Sequence, residues 1–308
     1  MEKRINKLDQ IPQYVMGLRR KFKVAVVIAE DTSTIDAVIQ ATKDGFIHPV
    51  LMGNRSKILP LLPHEFLKQA EVYDIIDCDS HQKASELAVS MVNRGEADIV
   101  MKGLINTDLF LKAVLNKENG LLRPDSVLSY VCAIELPAYN KLLFLTDPAV
   151  LPFPTMQQKV SMANYAIDMA HKLGIKKPKV ALIGASEKVS SHFPNSLEYE
   201  RMCKMAENGV IKDCIMDGPL DVYLACDPGS VKTKGVDTPI GGEADILLFP
   251  SLEASNPFYK SIMLFGGGEL AGLIQGTTHP VVVMSRSDSF RSKYYCLALA
   301  CLMAENNS

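Results

Sequence analysis

Short apolar runs rich in β-branched residues alternate with longer stretches of helical periodicity along almost the whole chain, and this alternation restricts the fold more than any single motif. The pattern predicts strands at 24–29, 47–52, 98–101, 127–134, 142–146, 179–184, 213–216, 246–249, 272–274 and 281–284. Helical patterns fill the gaps, with Thr32 or Ser33 as the cap after the first strand, Asn106 or Thr107 before Leu115, and a last helix over Phe290–Ala304. Strands that alternate with helices in this way form mostly parallel sheets, so the expected class is α/β, with α/β/α layers.

Three prolines, Pro148, Pro152 and Pro154, crowd the segment from Asp147 and stop any regular element there. The 308 residues suffice for two domains at roughly 150 residues each. The strands and helix after Gly272 are too few to form a domain alone. The expected organisation is therefore a discontinuous first α/β domain, residues 1–147 plus 273–308, and a second α/β domain, residues 148–272.

Composition removes several functional classes. The chain has 33 Lys and Arg against 35 Asp and Glu, a net charge of −2, with the basic residues dispersed. A nucleic-acid partner is not expected, because phosphate neutralisation calls for a basic surplus or stripe. Met1 to Arg20 is polar, and charge or proline interrupts every apolar run well short of ~18 residues, so neither a membrane span nor an export signal is expected. The seven cysteines show no C-x-x-C spacing and sit mostly among apolar neighbours, which suits reduced, cytoplasmic thiols packed as small hydrophobes. The six histidines are scattered without metal-ligand spacing, so no metal is expected.

The most informative segment is Val281-Val-Val-Met-Ser285-Arg286-Ser287-Asp288-Ser289, a buried strand that ends in hydroxyls and an arginine and then enters a helix. Ligands of open α/β sheets bind at that end of the strands. Helix-start amides, serine hydroxyls and a guanidinium suit an anion, and a capping cluster on a surface helix is the structural alternative. The turn Met101-Lys102-Gly103 before Asn106 and Thr107 repeats the theme, since glycine permits close backbone approach and lysine supplies a point charge. Asp147 and Asp288 are candidate general bases or structural caps. Phe265-Gly266-Gly267-Gly268 follows a helical pattern and reads as a helix end, not a nucleotide loop.

Several segments, taken in order, resemble the phosphate acetyl/butyryltransferase family, and within it the butyryltransferase branch. They are Met101-Lys-Gly with Thr107; Leu142-Leu-Phe-Leu-Thr146-Asp147; Gln158-Lys159-Val through Gly174-Ile; Cys214-Ile-Met-Asp217-Gly-Pro-Leu220; Ala244-Asp-Ile-Leu-Leu248 with Tyr259-Lys260-Ser261; and Ser285-Arg286-Ser-Asp288-Ser289 with Lys293. The resemblance implies an isocitrate/isopropylmalate dehydrogenase-like architecture, an active site in the cleft between two domains, and a homodimer. It implies reversible acyl transfer between coenzyme A and inorganic phosphate, both substrates, with no bound cofactor, metal or acyl-enzyme. It further implies Ser285 beside the coenzyme A sulfur and Arg286 on the developing negative charge, where preorganised donors stabilise an oxyanion. Asp288 is the remaining catalytic candidate. Lys102, Gly103, Thr107, Ser129, Asp147, Asn256, Tyr259, Lys260 and Ser289 complete the substrate-binding set.

The chain departs from the family pattern at three points. The acetyl branch carries an aspartate seven positions after the serine, a suggested base for coenzyme A, and this chain has Ser292. Leu151 stands where family members commonly have asparagine, and Ala254-Ser255-Asn256 replaces Ala-Gly-Asn. The Leu151 change motivates an alternative, a coenzyme A ester or acyl phosphate binding protein without turnover. A nicotinamide-dependent dehydrogenase of the same fold is a further alternative, and it calls for clustered acidic metal ligands that the sequence does not display.

Overall fold

The computed structural model describes residues 4–285 and 288–305, and the alternation of strands and helices runs through it as the sequence predicts. In chain order the elements are α1 (Gln10–Gly17), β1 (Phe22–Val27), α2 (Thr32–Lys43), β2 (Ile47–Gly53), α3 (Arg55–Ile58), α4 (His64–Leu67), β3 (Asp74–Asp77), α5 (His81–Asn93), β4 (Ile99–Lys102), α6 (Thr107–Val114), β5 (Ser129–Glu135) and β6 (Leu143–Thr146). They continue with α7 (Met156–Lys172), β7 (Lys179–Ile183), α8 (Pro194–Glu207), β8 (Ile215–Leu220), α9 (Val222–Cys226), α10 (Pro228–Lys234), β9 (Ile246–Leu248), α11 (Leu252–Leu264), β10 (Glu269–Gln275), β11 (Val281–Val282) and α12 (Phe290–Ala304).

The chain divides into two units. The first comprises Asp9–Ser126 with Glu269–Ser308, and the second comprises Val127–Gly268 with Met1–Leu8. The division falls ahead of the expected boundary at Asp147, and its reason is hydrogen bonding. Strand β5 pairs antiparallel with β6, and β6 pairs in parallel with β9, so both strands belong with the second unit and not with the first.

In the first unit the strand order is β3-β2-β1-β4-β11-β10, parallel except for β10 against β11. Strand β1 is buried at all but one position, the pattern of a parallel strand covered on both faces. The chain runs outward from β1 to β3 and then returns to place β4 on the other side of β1. That reversal makes the carboxyl ends of β1 and β4 a topological switch point, where α/β sheets take their ligands. Helix α12 packs on β10, α2 and α1, and it is buried almost all round. Strand β3, Asp-Ile-Ile-Asp, is absent from the sequence expectation because carboxylates flank its two apolar residues, a pattern suited to an edge strand. Helix α2 is capped by Asp31, whose carboxylate accepts from Thr34 N at 2.9 Å, and not by Thr32 or Ser33.

In the second unit the order is β5-β6-β9-β7-β8, parallel apart from β5. Strand β8 runs on through Gly218-Pro219, past the expected strand end at 216. It lies at the edge of this set, and its register with β7 shifts between the Ala181–Asp217 and Ile183–Leu220 pairs, an irregularity at which an edge strand accepts proline. Helix α7 starts at a capping box, with Thr155 Oγ1 accepting from Gln158 N and Gln158 Oε1 accepting from Thr155 N. Helix α11 begins at Leu252, capped by Ser251, and contains Pro257. Phe265 closes it, as the glycine-rich turn suggests.

Candidate functional site

The candidate residues fall on both units, and each unit builds its own cluster at the carboxyl ends of its strands. In the first unit, β4 ends at Lys102, a buried lysine whose ammonium lies 3.4 Å from the Gly103 carbonyl oxygen. Gly103 donates its N–H to Val27 O at 2.9 Å, and a Cβ there would lie 2.3 Å from Ile28 O. Only glycine fits this crossing of the β1 and β4 ends. Asn106 caps α6 by accepting from Asp108 N at 2.8 Å and Leu109 N at 3.4 Å. Two of the amides that the sequence offers to an anion are thus already taken, and Thr107 is exposed at that helix start between exposed Asn106 and Asp108.

After β11, Ser285 and Asp288 are joined by two hydrogen bonds. Ser285 N donates to Asp288 Oδ2 at 2.6 Å, and Asp288 N donates back to Ser285 O at 3.3 Å. Arg286 lies outside the described residues. Burial pushes the Asp288 carboxyl above its ordinary value and nearby Glu269 adds to the rise, while the Ser285 amide and Lys293 pull it back. Ser289 caps α12 by accepting from Ser292 N at 2.9 Å, and its hydroxyl donates to Glu269 Oε2 at 2.6 Å. Ser292 donates to the same oxygen at 2.6 Å. Lys293, buried, donates to Ser33 Oγ at 2.9 Å and lies 3.7 Å from Asp31, which ties α12 to the start of α2. Sequence reasoning missed Glu269, since nothing in a lone glutamate after three glycines marks it as the partner of two serines 20 and 23 positions away.

In the second unit Asp147 is an organiser of the backbone. Its carboxylate accepts from Ser129 Oγ at 2.9 Å, Tyr130 N at 3.1 Å, Ala149 N and Val150 N at 2.9 Å, and Leu151 N at 3.3 Å. Burial raises this carboxyl against the pull of those donors. With both oxygens occupied, and Ser129 fully buried with its hydroxyl spent on Asp147, these two candidates shape the turn and do not reach for a ligand. Leu151 keeps the turn because its contribution is a main-chain N–H, so replacing the family asparagine leaves the scaffold whole.

Helix α11 clamps the same turn. Ser255 Oγ donates to Asp147 O at 2.5 Å, Asn256 Nδ2 to Pro148 O at 2.8 Å, and Leu252 N to Pro152 O at 2.9 Å. Asn256 is therefore a clamp through its amide nitrogen. Tyr259 is partly buried and Lys260 exposed farther along the helix. A mostly apolar cavity of about 400 Å³ opens at the ends of β7, β8 and β9, lined in part by Ile183, Tyr199, Pro219, Phe249 and Ala254. Lys159, buried on α7, supports the α8 side of that cavity through Asn195 Oδ1 at 2.5 Å and Glu198 Oε2 at 2.6 Å. Among the described residues no group of three or more His, Cys, Asp or Glu side chains is placed to hold a metal ion, and no helix is long and apolar enough to cross a membrane.

The family model described as phosphate acetyl/butaryl transferase matches residues 78–301. The chain belongs to that family. It is 38% identical over 289 residues to a phosphate butyryltransferase of Clostridium beijerinckii, covering 92% of this chain and 94% of the relative. It is 36% identical over 297 residues to a phosphate acetyltransferase of Thermotoga maritima, covering 96% and 99%. Among solved structures it superposes on a branched-chain phosphotransacylase from Enterococcus faecalis V583 with a TM-score of 0.82 and 31% identity, over 92% of this chain and 99% of that one. A 4-hydroxythreonine-4-phosphate dehydrogenase from Klebsiella pneumoniae shares the fold alone, with a TM-score of 0.52 and 9% identity over 92% and 100% of the two chains. The dehydrogenase-like architecture expected from the sequence is the one observed.

Proposed function

We propose that the protein is a phosphate acyltransferase that moves a short acyl group, butyryl by preference, between coenzyme A and inorganic phosphate. The observation that carries this reading is family membership across most of the chain, with relatives at 38% and 36% identity named for butyryl and acetyl transfer. The geometry supports it on the anion side. Lys102 and Gly103 stand at the switch point of the first sheet, and Ser285, Asp288 and Ser289 lie in sequence between the same sheet's β11 and α12.

In the forward direction a phosphate oxygen attacks the thioester carbonyl, the carbonyl electrons collect on oxygen, and the coenzyme A thiolate leaves. Lys102, with Gly103 and Thr107, holds the phosphate. Arg286 stabilises the oxyanion, and Ser285 positions the sulfur. A preorganised donor of this kind is worth on the order of 10²–10³ in rate. The apolar cavity of the second unit suits the aliphatic part of an acyl-CoA. We further place the enzyme in the cytoplasm as a homodimer, on the family expectation alone.

Purified protein with butyryl-CoA and phosphate, run beside acetyl-CoA and a control without phosphate, tests the reading. The expected result is phosphate-dependent thiol release, fastest with butyryl-CoA. A folded protein that binds coenzyme A and releases no thiol from any short acyl-CoA overturns it and leaves the binding-protein alternative.

A further inference from the structure

Glu269 and the two serines at the start of α12 form a hydrogen-bond chain whose proton positions are set by chemistry. An ionised carboxylate only accepts, so the hydroxyl protons of Ser289 and Ser292 both point at Glu269 Oε2, each at 2.6 Å. Ser292 Oγ in turn accepts from Leu270 N at 3.1 Å, and Ser289 Oγ accepts from Ser292 N at 2.9 Å. A hydroxyl offers one proton and two lone pairs. At Ser289 the proton and one lone pair are committed, which leaves one lone pair on an exposed hydroxyl, backed by a partly buried carboxylate. Ser292, by contrast, is fully buried and serves to orient the carboxylate.

We propose that Glu269 is the proton acceptor of the acyl transfer and that it acts through Ser289. The inference rests on the phosphate acyltransferase reading. In the direction of thioester synthesis the S–H proton of coenzyme A passes to Ser289 Oγ as the Ser289 hydroxyl proton passes to Glu269 Oε2. The sulfur electron pair forms the bond to the acyl phosphate carbonyl carbon, and the C–O bond to phosphate breaks with its electrons on the departing phosphate. In the opposite direction protonated Glu269 returns the proton through Ser289 to the departing thiolate. Nothing is oxidised or reduced.

Asp288 is the competing carboxylate, and its geometry argues against the role. Its Oδ2 already accepts from Ser285 N at 2.6 Å, so protonation there would compete with that main-chain hydrogen bond. Among the described residues, Glu269 instead accepts from two side-chain hydroxyls, those of Ser289 and Ser292. Among the described residues, the charged groups on the elements packed around it include Asp288, just ahead of α12, Arg291 and Lys293 on α12, and Asp31 at the start of α2, paired with Lys293.

The experiment compares wild type, E269Q, S289A and the double variant E269Q with S292D in the thiol-release and thioester-forming assays across pH. Glutamine keeps an acceptor oxygen for both serines but takes no proton. The expected result is a fall in kcat of about 10²–10⁴ for E269Q, the range of general acid–base catalysis, with KM little changed, the acidic limb of the thioester-forming kcat profile flattened, and the alkaline limb of the thiol-release profile flattened. S289A should show the same loss of the limb. S292D in the E269Q background returns a carboxylate to the position 2.6 Å from the lost one and should recover activity with a pH limb. Melting temperatures of all variants report folding separately. E269Q with wild-type kcat and pH profile overturns the relay, as does loss of the limb in D288N alone. A wild-type protein without phosphate-dependent turnover overturns the acyltransferase reading, and the relay with it.

Discussion

At the scale of single residues, two carboxylates that a sequence presents alike do different work. Asp147 is surrounded by donors from its own turn and from β5, four of them main-chain amides, and Glu269 accepts from two hydroxyls. An aspartate with every oxygen occupied is a structural device. Hydrogen bonds to a charged group are worth about 1.5–3 kcal/mol each, and unpaired buried amides carry a further cost. Asp147→Ala should therefore destabilise the protein by at least about 3 kcal/mol, read from urea denaturation midpoints at constant slope. A change below 1 kcal/mol in that measurement contradicts the organising role.

Caps and strand ends make predictions at the scale of elements. Asp31 does two things, capping α2 through Thr34 N and standing 3.7 Å from buried Lys293. Asparagine retains the cap and loses the charge, whereas alanine loses both. Asp31→Ala should cost about 1 kcal/mol more than Asp31→Asn, the value of a cap, and equal costs would assign the whole effect to the ion pair. Glu30 ties the end of β2 to α3 through Asn54 N at 2.8 Å and Lys57 Nζ at 2.9 Å. Burial alone would raise its carboxyl, but these two partners overrule it and hold it below 4.5. The native state thus releases this proton more readily than the unfolded chain does, and the stability it contributes is present above the unfolded value and lost as pH falls through the lowered one. Glu30→Gln should lose most relative to wild type near pH 7, with the gap closing under acid. A gap that widens as pH falls would reverse the sign.

For the whole molecule, the cysteines give a measurable consequence of how the core is built. All seven are free. Burial pushes Cys203 up to about 12 and Cys214 and Cys226 to about 11, and it raises Cys296 and Cys301 further. Near pH 8 such thiols carry on the order of a hundredfold less thiolate than an ordinary cysteine. Cys132 is fully buried, and Cys78 is partly exposed. In native protein at most one thiol should react promptly with a disulfide reagent, and all seven in denaturant. Several prompt thiols in the native state would contradict this core, and the same count measures the background of a thiol-release assay.

The alternation of apolar runs with helical patterns determined the α/β class, and α12 emerged with its observed limits because its apolar content and flanking serines are local properties. The family and the residues of the Ser-Arg-x-Asp-Ser segment were legible for the same reason, as a contiguous string. Only tertiary structure decided which unit holds β5 and β6, because strand pairing is a contact between distant segments. It also decided that β8 continues through a proline, since an edge position is a property of the sheet and not of the strand. The roles of Asp147 and Glu269 were decided in the same way. Each depends on which donors the fold brings to a carboxylate, and no spacing along the chain encodes a partner that arrives from another element.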